Sequence, residues 1–146
     1  MPEKETLERA AEDRREGKAP STQAGEFVRE EMHHVHEGKH GARSTKQAIA
    51  IGLSKARRAG VPLKPPRRAK KATKRSAASA YRAGRSGSRR RPSATRSRAV
   101  SRALRREGRS AASRPALARQ ARASARKRSA TARSAAARKA ARTRKR

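Results

Sequence analysis

All four histidines of the chain, His33, His34, His36 and His40, fall in "HHVHEGKH" at 33–40. Spacings of three and four residues can bring imidazoles onto one side of a helix, which is what a divalent metal ion requires of its ligands. Gly38 interrupts that register, and no cysteine is available to complete a ligand set. The expectation is a solvated helix end whose histidines lie against the C-terminal dipole, with metal ligands and cofactor both set at none.

Carboxylates are the next group able to do chemistry. Ten of the 11 acids lie between Glu3 and Glu37, on segments so charged that a solvated face is expected rather than a pocket that would shift their pKa values. The absence of cysteine also removes thiolate nucleophiles and disulfides. "AGRSGS" at 83–88 lacks the Lys-Ser/Thr ending and the preceding strand of a phosphate-binding loop. The chain therefore reads as a non-enzyme with no catalytic residue and no small-molecule substrate.

The strongest chemical signal is cationic. The 146 residues carry a formal net charge of +32, unevenly spread. Residues 1–60 hold 12 of the 43 Lys and Arg beside 10 acids, while residues 61–146 hold the other 31 beside Glu107 alone. Of those 31, 24 are Arg, the side chain that forks two N–H groups onto one phosphate. A low-complexity Ala, Ser and Arg composition with this much self-repulsion predicts an expanded tail. Its expected phosphate contacts are Arg89, Arg90, Arg91, Arg105, Arg106, Arg126, Lys127, Arg128, Arg138, Lys139, Arg142, Arg144, Lys145 and Arg146. From Ala116 to Arg146 there is no Gly or Pro, so this stretch is expected to be disordered when free and helical on a polyanion.

The elements behind these groups are helical. A first segment runs from near Pro2 to Glu16 with Gly17 as its stop. A second follows "APST", capped by Ser21 or Thr22, and carries Phe27, Val28, Met32 and Val35 at roughly helical period before Gly38. In the third, Ser44 as cap and Gln47 three residues on form a capping box, Ile49, Leu53 and Ala56 share a face, and Gly60 then Pro62 stop it. Packing Phe27, Val28, Met32 and Val35 against Ile49, Ile51 and Leu53 gives a helical hairpin, the surface a protein partner would use. Outside the tail the large apolar residues are too few for a full core. The expected fold is mostly α: a small head of two to three short helices at 1–60, a Pro-rich hinge at 61–66, and a disordered or inducibly helical basic tail at 67–146.

"REEMHHVHEGKHGARSTKQAIAIGLSKARRAG", above all Lys39-His40-Gly41, Ser44 and Lys46-Gln47-Ala48-Ile49-Ala50-Ile51, resembles a family of small, uncharacterised bacterial basic proteins sometimes labelled plasmid-stabilisation or histone-like. The likeness spans residues 1–65. It implies a bacterial cytoplasmic or nucleoid protein and assigns no catalytic or binding residues. In composition alone the tail resembles linker-histone and protamine tails.

The functional expectation is double-stranded DNA binding and compaction by phosphate neutralisation, without sequence preference. Two alternatives stand beside it. One is a ribosome-associated RNA-binding protein, since Arg-rich segments also fold on RNA. The other is a plasmid-maintenance or adaptor protein whose head holds a protein partner while the tail localises it on DNA. A further reading folds the acidic patch back onto the tail. The N-terminus is acidic without an apolar stretch, unlike a leader, and no run approaches a membrane span, so no membrane partner is expected.

Overall fold

The computed structural model describes residues 1–86 and 93–144. Local chemistry sets the first three helices. α1 (Lys4–Arg15) has Glu5 in its first turn and Arg14 and Arg15 in its last, complementing the dipole, and Gly17 at φ +69° ends it. α2 (Pro20–Glu37) starts on a proline, whose missing N–H needs no partner at that position. The expected caps Ser21 and Thr22 therefore lie inside the first turn, and Ala19 is the N-cap residue without a side-chain bond. Gly38, at φ +81°, closes α2: its N–H donates to the Val35 carbonyl and that of Lys39 to His34, a Schellman turn. α3 (Thr45–Arg58) is capped by Ser44, whose Oγ accepts from the Gln47 N–H at 3.2 Å. The Gln47 side chain accepts from the Arg43 N–H at 2.8 Å, one residue beyond an ordinary capping box.

α2 and α3 lie antiparallel, but their seam is not the one the large residues suggest. Ile49, Ile51 and Leu53 are only half-buried, whereas Ala48, Gly52 and Ala56, spaced by four, are buried. A Cβ on Gly52 would lie 2.7 Å from the Val28 Cα, so the two backbones meet where no side chain intervenes. Phe27 packs with Ala10, Ala24, Ala56 and Val61 in one cluster, and Val35 with Ala42, Ala48, Ala111 and Ala112 in another.

The expected disordered tail is corrected by the structure. Past the head the chain forms α4 (Lys71–Arg85), α5 (Ala94–Arg106), a 3-10 turn at Ser110–Ala112, α6 (Arg114–Arg126) and α7 (Ala130–Arg144). The protein is a bundle of seven α-helices among the described residues, not a short hairpin with an inducible extension. α4 docks on α3 through buried Ala77 and Ala80 and through Gly84, where a Cβ would come within 1.9 Å of the Arg57 carbonyl oxygen. The segment after α5 straps the connector between α2 and α3. Gly41 N–H donates to Leu104 O at 2.8 Å, Ala42 N–H to Gly108 O at 3.1 Å, and Thr45 Oγ1 to Ala111 O at 2.6 Å.

The Pro-rich stretch at 61–66 also lies on the head. Val61 is buried, Leu63 packs beside it, and the Arg57 Nε donates to the Leu63 carbonyl at 3.1 Å. The reason for the correction is the kind of core. Counting large apolar residues overlooks alanine, which loses no side-chain entropy on burial and lets helices approach closely enough for dispersion to hold them. Nine of the 12 buried apolar residues are alanines.

Candidate polyanion surface and buried charge cluster

Helices α4 to α7 place cations in rows and contain no carboxylate. On α4, Lys71, Arg75, Arg82 and Arg85 follow helical spacing on the side away from buried Ala77 and Ala80. On α5, Arg98, Arg102 and Arg105 are exposed at intervals of four and three. On α6, Arg119, Arg122 and Arg126 form a third exposed row at intervals of three and four. Like charges at these spacings disfavour isolated helices by a few tenths of a kcal/mol per pair; on α4 the docked face of Ala77 and Ala80 works against that repulsion.

The α6 row leads into a cleft of about 470 Å³ between α6 and the start of α3. Arg43, Lys46 and Arg119 line it, with Gln120 and the two capping serines, Ser44 and Ser113. Two helix N-termini therefore open beside three cationic side chains, and both their partial charges and their N–H groups favour an anion there.

Of the expected phosphate contacts, Arg105, Arg106, Arg126, Lys127, Arg128, Arg138, Lys139 and Arg142 are exposed. Arg144 ends α7, while Arg89, Arg90, Arg91, Lys145 and Arg146 lie outside the described residues. Of the expected packing residues, Phe27 and Val35 are buried and Val28, Met32, Ile49, Ile51 and Leu53 are half-buried. Arg119, Arg43 and Lys46 are not among the contacts expected from sequence. Their signal is the pair of N-capping serines with basic neighbours, which sequence alone does not bring together.

The acids are not a uniformly solvated face, and among the described residues their ion pairs are with cations of the head rather than with the arginine helices. Glu26 pairs with Arg9 at 2.7 Å and Asp13 with Lys18 at 2.8 Å. Glu30 and Glu31, 3% and 0% exposed, sit between the two apolar clusters, both against Lys55, at 3.2 and 2.7 Å. These two carboxylates raise the Lys55 pKa against the opposing effect of its burial. Glu3 Oε1 contacts His34 Nε2 at 2.9 Å and Lys39 Nζ at 3.1 Å, and these contacts lower its pKa to about 2. His33 and His36 are exposed, but His34 and His40 are half-buried, with ring centroids 5.9 Å apart. Gly38 does not separate them: its left-handed turn carries His40 back beside α2.

Fold and surface together define an all-helical protein with a small-residue core and cationic outer helices. Residues 19–69, spanning α2, α3 and the stretch after them, are similar to a family of unknown function, DUF6496. This is not the histone-like or plasmid-stabilisation family that the head resembles. No curated protein and no solved structure matches the chain. Among the described residues no helix is long and apolar enough to cross a membrane.

The functional expectation needs a correction too. An extended Arg-rich tail that wraps, neutralises and compacts DNA is incompatible with this stretch forming α4 to α7, with α4, α6 and the 3-10 turn docked on the head. The histone-like reading falls with it, as do the RNA-binding and tethered-adaptor alternatives that relied on the same tail.

Proposed function

We propose that this protein binds a phosphate polyanion, a nucleic-acid duplex, with a folded surface of fixed cationic rows anchored at the cleft between α3 and α6. The observation that carries the reading is that the α6 row runs out of that cleft, so that Arg119 belongs to both. A row held on a helix presents its guanidinium groups at set intervals, about 1.5 Å of rise per residue, and engages phosphates without first paying for helix formation. The reading involves no catalysis, and a location beside nucleic acid in the bacterial cytoplasm goes with it.

The test is positional. Removing three positive charges from α6 (Arg119→Gln, Arg122→Gln, Arg126→Gln) is compared with removing three from α7 (Arg133→Gln, Arg138→Gln, Arg142→Gln), by titrating a short duplex across a salt series. The α6 variant is expected to lose at least about tenfold in affinity and to flatten the dependence of log K on log salt by about 0.9 for each phosphate no longer neutralised. The α7 variant should lose clearly less. Equal losses would mean that only total charge matters and would overturn the proposal.

A further inference from the structure

The polyanion surface leaves the histidine cluster unused. We propose that Glu31, His34 and His40 form a binding site for a divalent transition-metal cation of the zinc type. One ligand atom from each residue lies within 4.8 Å of the others. Tetrahedral zinc with bonds of about 2.0–2.2 Å holds its ligands about 3.4 Å apart, so no pair has to close by more than roughly 1.4 Å.

The orientation of His40 carries the argument. Its Nδ1 lies 3.1 Å from the Gly41 carbonyl oxygen, which can only accept, so Nδ1 holds the proton. In the neutral ring this leaves the Nε2 lone pair facing Glu31 Oε1 at 3.1 Å, acceptor against acceptor. A backbone carbonyl on the far nitrogen is the usual way a metal-binding histidine is fixed. Either a proton on Nε2 or a cation between Nε2 and Oε1 reconciles the pair.

A second observation points the same way. Both carboxylate oxygens of Glu31 are fully buried and accept no hydrogen bond of adequate geometry, although Lys55 and His40 are close. The Lys55 ammonium offsets the charge on the Oε2 side, which leaves Oε1 as the oxygen facing His40. A proton on His40 would serve two of the three converging groups, whereas a metal ion engages all three. Lys55 stays on Oε2, 2.7 Å away, leaving Oε1 as the ligand. Around the site, Glu3 contacts His34, and Glu30 stands 4.0 Å from that ring. Access runs through a cleft of about 340 Å³ that His40 shares with Gly38, Gly108 and Arg109.

The experiment uses the full chain, stripped of metal, titrated with Co²⁺ and then with Zn²⁺ as competitor. Expected are one saturable site, visible Co²⁺ absorption of a low-coordinate centre, and its loss when Zn²⁺ is added. His34→Gln and His40→Gln should each weaken binding about 10- to 100-fold. His33→Gln and His36→Gln, at exposed neighbours, should stay within about threefold of the parent chain. If a variant fails to fold, the parent chain still decides, because Zn²⁺ should move the imidazole NMR signals of His34 and His40 and leave those of His33 and His36 in place. Absence of a stoichiometric site, equal losses from all four variants, or movement of all four ring signals would each overturn the proposal.

Discussion

Replacing Gly84 by alanine separates a docked α4 from a free one by the sign of the effect. In a free helix, alanine is favoured over glycine by about 1 kcal/mol, so the variant would gain helix and stability. In the structure the new methyl would sit 1.9 Å from the Arg57 carbonyl oxygen and 3.2 Å from the Gly60 amide nitrogen. Both are backbone atoms that cannot rotate away, so α4 has to shift or detach. Overpacking of this kind costs about 1–3 kcal/mol. The ceiling is the docking energy of α4 itself, to which the buried methyls of Ala77 and Ala80 contribute about 0.8 kcal/mol each. The expected loss is therefore about 2 kcal/mol, a fall in Tm of roughly 4–8 °C for a chain this size. The assay is thermal and urea unfolding followed by far-UV circular dichroism. Gly25→Ala is the control: nothing lies within 4 Å of a Cβ there, so that variant should be neutral or gain up to about 1 kcal/mol. A Gly84→Ala protein as stable as its parent, or more helical, would refute the docking of α4.

Three further outcomes follow from the same geometry. Lys55→Met leaves Glu30 and Glu31 buried without their shared cation and should cost about 3–5 kcal/mol in urea unfolding; a loss below about 1 kcal/mol would mean that water reaches both carboxylates. Ser44→Ala removes the α3 cap and should cost about 1 kcal/mol, with Ser113→Ala costing less because its cap bond is longer, at 3.4 Å. Raising NaCl should raise Tm, since screening relieves the repulsion of a +32 chain, while the same salt weakens duplex binding; a Tm that falls with salt would mean that exposed ion pairs outweigh that repulsion.

How much is legible in the sequence depends on whether the information is local. The stops at Gly17, Gly38 and Gly60 are readable because a left-handed residue after a helix favours glycine, and all three have positive φ. Ser44 is readable because a cap acts within three residues. What escapes is long-range and small. Gly84 looks like a helix breaker beside "RSG", but it serves as a point of backbone approach inside α4. Gly41 looks like loop, yet a Cβ there would strike the Glu107 carbonyl. Glu30 and Glu31 read as surface acids because they are charged. Their positions three and four residues after Phe27 put them on the buried face of α2, and Lys55 matches them from α3.

The small-residue core and the cationic surface are two sides of one composition. A helix such as α4, a third alanine, can bury a narrow face without large apolar residues, leaving other positions for arginine. Burying alanine yields little free energy per residue, so such a chain needs close backbone contact at several points, which Gly41, Gly52 and Gly84 provide. Those contacts fix each helix relative to its neighbour more tightly than larger, more adaptable side chains would. The cationic row of α4 inherits that fixity through Gly84. A chain selected only for positive charge would have no use for glycines at close backbone contacts. Their presence argues that where the cations point matters as much as how many there are.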